Sequence, residues 1–188
     1  MENHELIYLN ATGDIGMRLT NDYLFKALML KNRSVLKGLL ASLLYINYDD
    51  ITDLYIANGE ELPDTFDAKT FVLDLKIKLN NNRLINIEMQ VNNLHDWPER
   101  SLSYLSRMYD NLTKGGNYID VLPVIQIGII DYTLFPGREE FYASYHMRND
   151  KSDHIYSDKF VLKVLDLTKL DCATSEVRLC LKPFKPYI

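Results

Sequence analysis

Two amphipathic stripes open the chain. Leu24, Phe25, Leu28 and Met29 fall at helical spacing, with Thr20 as the expected N-cap and Asp22 in the first turn, where the helix dipole favours an acid. Leu36, Leu39, Leu40, Leu43 and Leu44 then recur at three and four residues, which predicts a second helix capped by Ser34. The pattern next changes to period two. Ile51 to Ala57 reads as a short strand, broken by Asn58-Gly59 and Pro63. In Phe71 to Leu79, the residues Leu73, Leu75, Ile77 and Leu79 alternate with Asp74, Lys76 and Lys78. In Leu84 to Val91, the residues Ile85, Ile87, Met89 and Val91 alternate with Asn86, Glu88 and Gln90. Asn80-Asn81-Asn82 lies between these two segments, and asparagine tolerates the left-handed conformation of a tight turn, so the pair reads as a β-hairpin.

Downstream, Asp96-Trp97-Pro98-Glu99 has the form of a capping box with proline in the first turn. Tyr104, Leu105, Met108, Tyr109 and Leu112 supply the buried stripe of a helix that Gly115-Gly116 would end. Val121 to Ile130 is a nearly continuous apolar run, the pattern of a central strand covered on both faces. Phe141 to Met147 and Phe160 to Asp166 are two further strands. Helix, three strands, helix, strand and extra strands make an α/β layered fold. Residues 1–19 read as an irregular lead-in, 20–170 as one domain and 171–188 as a short tail.

Composition narrows the function classes. The 188 residues hold 47% hydrophobic and 25% charged side chains, as in an ordinary globular domain. Two cysteines exclude a disulfide scaffold and point to a reducing compartment. No apolar run approaches the ~20 residues of a membrane-spanning helix, and the N-terminus carries acids where a signal peptide has lysines. A cytoplasmic protein without membrane partners is expected. The net charge of −5 excludes a strongly basic, sequence-independent DNA clamp but not an enzyme that touches nucleic acid briefly. The four histidines have no metal-ligand spacing with the cysteines, and there is no glycine-rich phosphate loop and no G-x-S-x-G elbow.

The polar face of the hairpin carries the candidate chemistry. A three-residue turn at Asn80–Asn82 places Asp74 opposite Glu88 and Lys76 opposite Asn86. Facing carboxylates repel unless a cation lies between them, and hard divalent ions take such oxygen ligands. The same alternation also fits a solvated sheet face.

The segment Leu73 to Gln90, LDLKIKLNNNRLINIEMQ, resembles the core of PD-(D/E)XK nucleases. It is most similar to their bacterial recombination-promoting nuclease and transposase family. Asn21-Asp22-Tyr23-Leu24-Phe25-Lys26 is similar to that family's N-terminal motif, and Arg100 to Tyr109 with Pro123-Val124-Ile125 to its helix and central strand. The resemblance implies an α-β-β-β-α-β core with a central mixed sheet flanked by helices. It implies metal-dependent cleavage of DNA, with Asp74, Glu88 and the Met89 carbonyl holding Mg²⁺ or another divalent cation such as Mn²⁺, and no organic cofactor. Asp22 is either an acid that approaches the metal or a simple first-turn acid. Gln90 stands where the superfamily pattern has lysine; its amide can orient a water but brings no charge. Lys76, on the same face, is either the replacement cation or a solvated strand lysine. Lys26, Arg100 and Arg107 are the candidate DNA contacts, and a homodimer is a candidate assembly. The alternative reading is a catalytically degenerate, transposase-derived remnant that binds DNA or a protein partner. Members of the family usually continue into a helical region, so the tail is read as a truncation or a shifted frame.

Overall fold

The computed structural model describes residues 20, 22–57, 60–61, 71–72 and 75–172; for 22–24, 60–61 and 71–72 the backbone alone is described. Helix α1 spans Asp22–Lys31 and α2 spans Arg33–Leu44. The cap of α2 is not Ser34 but Asn32, whose Oδ1 accepts from the Val35 amide, while the Ser34 hydroxyl also donates to it. The asparagine side chain reaches the orphan N–H from one residue outside the helix, which is the N-cap geometry. A 3-10 turn at Tyr48–Asp50 leads into β1, Leu54–Ala57, three residues later than Ile51.

The segment expected as one strand from Phe71 to Leu79 divides. Strands β2, Glu60–Glu61, and β3, Phe71–Val72, form a separate two-stranded ladder, and β4, Leu75–Leu79, joins the main sheet. Strand β5, Arg83–Gln90, pairs antiparallel with β4 with Lys76 opposite Asn86, the register that the three-residue turn predicts. Asn80 and Asn81 take φ of 48° and 54°. Asn80 also secures the preceding loop: its Oδ1 accepts from the amides of Thr52 and Asp53, and its Nδ2 donates to the Asp50 carbonyl.

Helix α3 spans Trp97–Tyr109. Asp96 is its N-cap residue but makes no side-chain capping bond, so the expected capping box is not formed. The helix ends well before Gly115. Asn111 stops it: Nδ2 donates to the Met108 carbonyl, a group that a longer helix would need, and Oδ1 accepts from the Leu122 amide. Strand β6, Val124–Ile130, is buried along its whole length, and β7, Tyr142–His146, and β8, Phe160–Asp166, complete the sheet. The six strands lie in the order β1-β4-β5-β6-β8-β7, with β5, β6 and β8 mutually parallel.

Two cores follow from this sheet. Ile85, Ile87, Ile125, Ile127 and Leu165 face Phe25, Met29, Leu36 and Leu40 of the first two helices. The opposite face receives α3, through Tyr104, Leu105 and Met108 on Val124, and Trp97 on Ile130 and Val164. A helix that connects two adjacent parallel strands must cross one face of the sheet. Here it crosses the face that carries Asn86 and Glu88. No helix among the described residues is long and apolar enough to cross a membrane.

Candidate active site

The hairpin's polar face is closed, not solvated: Asn86 is 0% and Glu88 2% exposed. In the parallel β5–β6 register Asn86 lies beside Gln126, Glu88 beside Gly128 and Gln90 beside Ile130. The α3 helix covers this row. Its first residue, Trp97, lies on Gly128 so closely that any β-carbon there would collide with the indole ring. Glycine in a central strand weakens the strand on its own, and close approach of a neighbour is the reason it is found there.

Glu88 is charge-balanced from above. Arg100, one turn into α3, sets Nη2 at 2.6 Å and Nε at 2.8 Å from Glu88 Oε1. Burial is the largest single influence and disfavours the charged guanidinium, yet Glu88, Tyr104 and Asp96 together outweigh it and the Arg100 pKa rises. The ring of Tyr104 lies 5.5 Å from Arg100 Cζ. Tyr132, just beyond β6, is within electrostatic reach: burial first, then the Asp96 and Glu88 carboxylates, push its phenol up.

Next to this ion pair, Asn86 Nδ2 donates to Gln126 Oε1 at 2.9 Å. Both side chains are fully buried, and Asn86 Oδ1 and Gln126 Nε2 find no hydrogen-bond partner among the described residues. Buried polar atoms of this kind are costly in a core and are commonest at functional sites. Gln126 was not singled out as a site residue from sequence, although a glutamine inside VIQIGII is the signal that could have found it.

The other expected site residues fall as follows. Lys76, opposite Asn86, is half-buried, and burial followed by the charge of Arg107 lowers its pKa. Gln90 ends β5 and donates through Nε2 to the Asn92 carbonyl. Met89 is buried in the same strand. Arg107 lies seven residues beyond Arg100 on α3, and Lys26 is partly exposed on α1. Asp22 opens α1, with its side chain outside the described residues. Asp74, the expected partner of Glu88, also lies outside them. Among the described residues no group of three or more His, Cys, Asp or Glu could hold a metal ion. What they offer a hard cation is the Glu88 carboxylate and backbone carbonyls such as that of Met89, which is the right donor class. Open cavities of about 600 and 800 Å³ lie around Arg138, Glu140 and Tyr142 at β7.

No curated protein and no solved structure matches the chain. The family PD-(D/E)XK nuclease family transposase matches residues 19–183, which takes in both hairpin strands, α3 and every strand of the main sheet. The mixed six-stranded sheet flanked by helices agrees with that family's α/β fold. The chain belongs to the PD-(D/E)XK nuclease family transposases, a nuclease- or transposase-related group.

Proposed function

We propose that this protein is a metal-dependent DNA endonuclease that hydrolyses phosphodiester bonds at the face between β5 and α3. The observation that carries the reading is Glu88: a carboxylate buried to 2% exposure on a central strand, paired with Arg100, at the glutamate of the family motif. An acid so placed contributes little to a core that an apolar residue would fill better, and perturbed buried charges cluster at functional sites.

In this reading Asp74, Glu88 and the Met89 carbonyl hold Mg²⁺ or Mn²⁺, with Asp22 approaching from α1. When bound, the ion polarises a phosphoryl oxygen and lowers the pKa of the attacking water. Gln90 orients that water through its amide. Lys76 supplies positive charge that the glutamine lacks, and its half-buried setting next to Arg107 strengthens its field at short range. Lys26, Arg100 and Arg107 contact phosphates.

Supercoiled plasmid, incubated with Mg²⁺ or with EDTA, tests the proposal. Nicking or linearisation with Mg²⁺ alone is expected. Asp74→Ala and Glu88→Gln should abolish it with the circular dichroism spectrum unchanged, and Gln90→Ala should slow it by about one to three orders of magnitude, the effect of one positioned catalytic group. If wild type and Gln90→Lys both bind DNA and neither cuts it with any divalent ion, the endonuclease reading fails and a DNA-binding remnant stands in its place.

A further inference from the structure

We propose that Arg100 is the resident counter-ion of Glu88, which a divalent cation displaces and so frees toward a substrate phosphate. The inference rests on the reading of Glu88 as a metal ligand. Two nitrogens of Arg100 converge on one oxygen, Glu88 Oε1, at 2.6 and 2.8 Å. A carboxylate as buried as Glu88 requires a cation or equivalent hydrogen bonds, because water cannot compensate its charge. A hard divalent ion that takes both carboxylate oxygens needs the lone pairs of Oε1 that the guanidinium now uses. Two cations within about 4 Å of each other at one buried carboxylate repel strongly. The guanidinium and a metal bound through Oε1 are therefore alternative occupants.

The two partners are placed asymmetrically, and this gives the exchange a direction. Glu88 is fixed in the central strand β5, whereas the Arg100 side chain is 30% exposed on α3. Only the arginine has a route to solvent, along a long flexible stem. The Tyr104 ring, 5.5 Å from Cζ, already lies under the guanidinium and can keep this contact when the ion pair opens. A guanidinium binds phosphate through paired N–H donors as readily as carboxylate, so one exchange both fills the metal position and presents a cation to the DNA backbone.

Nuclear magnetic resonance of the full ¹⁵N-labelled chain, titrated with Mg²⁺ alone, tests this. The Arg100 Nε–Hε signal is assigned by its loss in Arg100→Lys and followed together with the amides of Glu88 and Met89. Displacement predicts that the two amides shift saturably and that the Hε signal moves and loses protection from exchange with the same midpoint. Amides that shift while Hε keeps its position and protection overturn the displacement and leave Glu88 as a ligand. Amides that stay still with Mg²⁺ and with Mn²⁺ overturn the metal reading and this inference with it. Calorimetry of Mg²⁺ binding gives a second readout, at mildly alkaline pH so that a carboxylate deprived of its guanidinium still ionises. Arg100→Gln should bind Mg²⁺ about 10–100-fold more tightly, the loss of a competing charge-assisted hydrogen bond, with Arg100→Lys close to wild type. Equal or weaker binding by Arg100→Gln overturns the proposal.

Discussion

Gly128→Ala probes how the helix is seated over the site. A β-carbon at residue 128 would stand 2.0 Å from Cζ2 of Trp97, 2.6 Å from Cη2 and 2.9 Å from Cε2. Carbon atoms rest at about 3.5–4.0 Å, so the indole must retreat by roughly 1.5 Å. It has no free space for this: Trp97 is 1% exposed and packs against Ile130 and Val164. The first turn of α3 must lift instead, and Arg100 lies three residues further along that turn. Overpacking a core costs about 1–3 kcal/mol, and a rigid ring in a closed site puts this substitution near the upper end. For a domain of this length 1 kcal/mol corresponds to about 2–4 °C, so a fall in Tm of about 4–12 °C is expected. Trp97 is the only tryptophan, so intrinsic fluorescence reads the same event directly. The emission should shift to the red as the ring is exposed, and Trp97→Phe in the Gly128→Ala background should recover part of the lost stability. Unchanged Tm and unchanged emission would refute the close packing of α3 on β6.

The buried amide pair should show coupling in a double-mutant cycle by urea unfolding: Asn86→Leu strands the Gln126 amide and costs about 1–3 kcal/mol, whereas Asn86→Leu with Gln126→Leu should cost less than the sum of the single changes. Simple additivity would show that the pair does not act as a unit. Asn80→Gly keeps the left-handed turn but removes the bonds to Thr52, Asp53 and Asp50, so it should destabilise by about 1–2 kcal/mol in the same assay, and Asn80→Ala by more because alanine is strained at φ of 48°. Lys76 has a folded pKa lowered by burial and by Arg107, so the unfolded chain binds the extra proton between that lowered value and 10.5. Wild-type stability should therefore rise relative to Lys76→Met as pH increases through that window, and a difference that is flat with pH in urea melts would contradict the burial of this amine.

The hairpin was legible because a strand's period of two is local. Alternation set Lys76, Asn86, Glu88 and Gln90 on one face, and three asparagines able to adopt positive φ fixed the pairing of Lys76 with Asn86. The all-apolar run of β6 likewise marked a strand buried on both faces. Helix ends were read less well, since caps depend on which side chain reaches an orphan backbone group: Asn32 displaced Ser34, and Asn111 ended α3 before the glycines. Alternation states which residues share a face but not what covers that face. That α3 lies on the Glu88 side, that Trp97 requires Gly128, that Arg100 reaches Glu88 and that Gln126 meets Asn86 across 40 residues all depend on the crossover between parallel strands. The sequence by itself determined that Lys76, Asn86, Glu88 and Gln90 share one face of the hairpin. Only the tertiary structure turned that face from a solvated surface into a closed one, because the helix that desolvates it is brought there by strand pairing that no local pattern encodes.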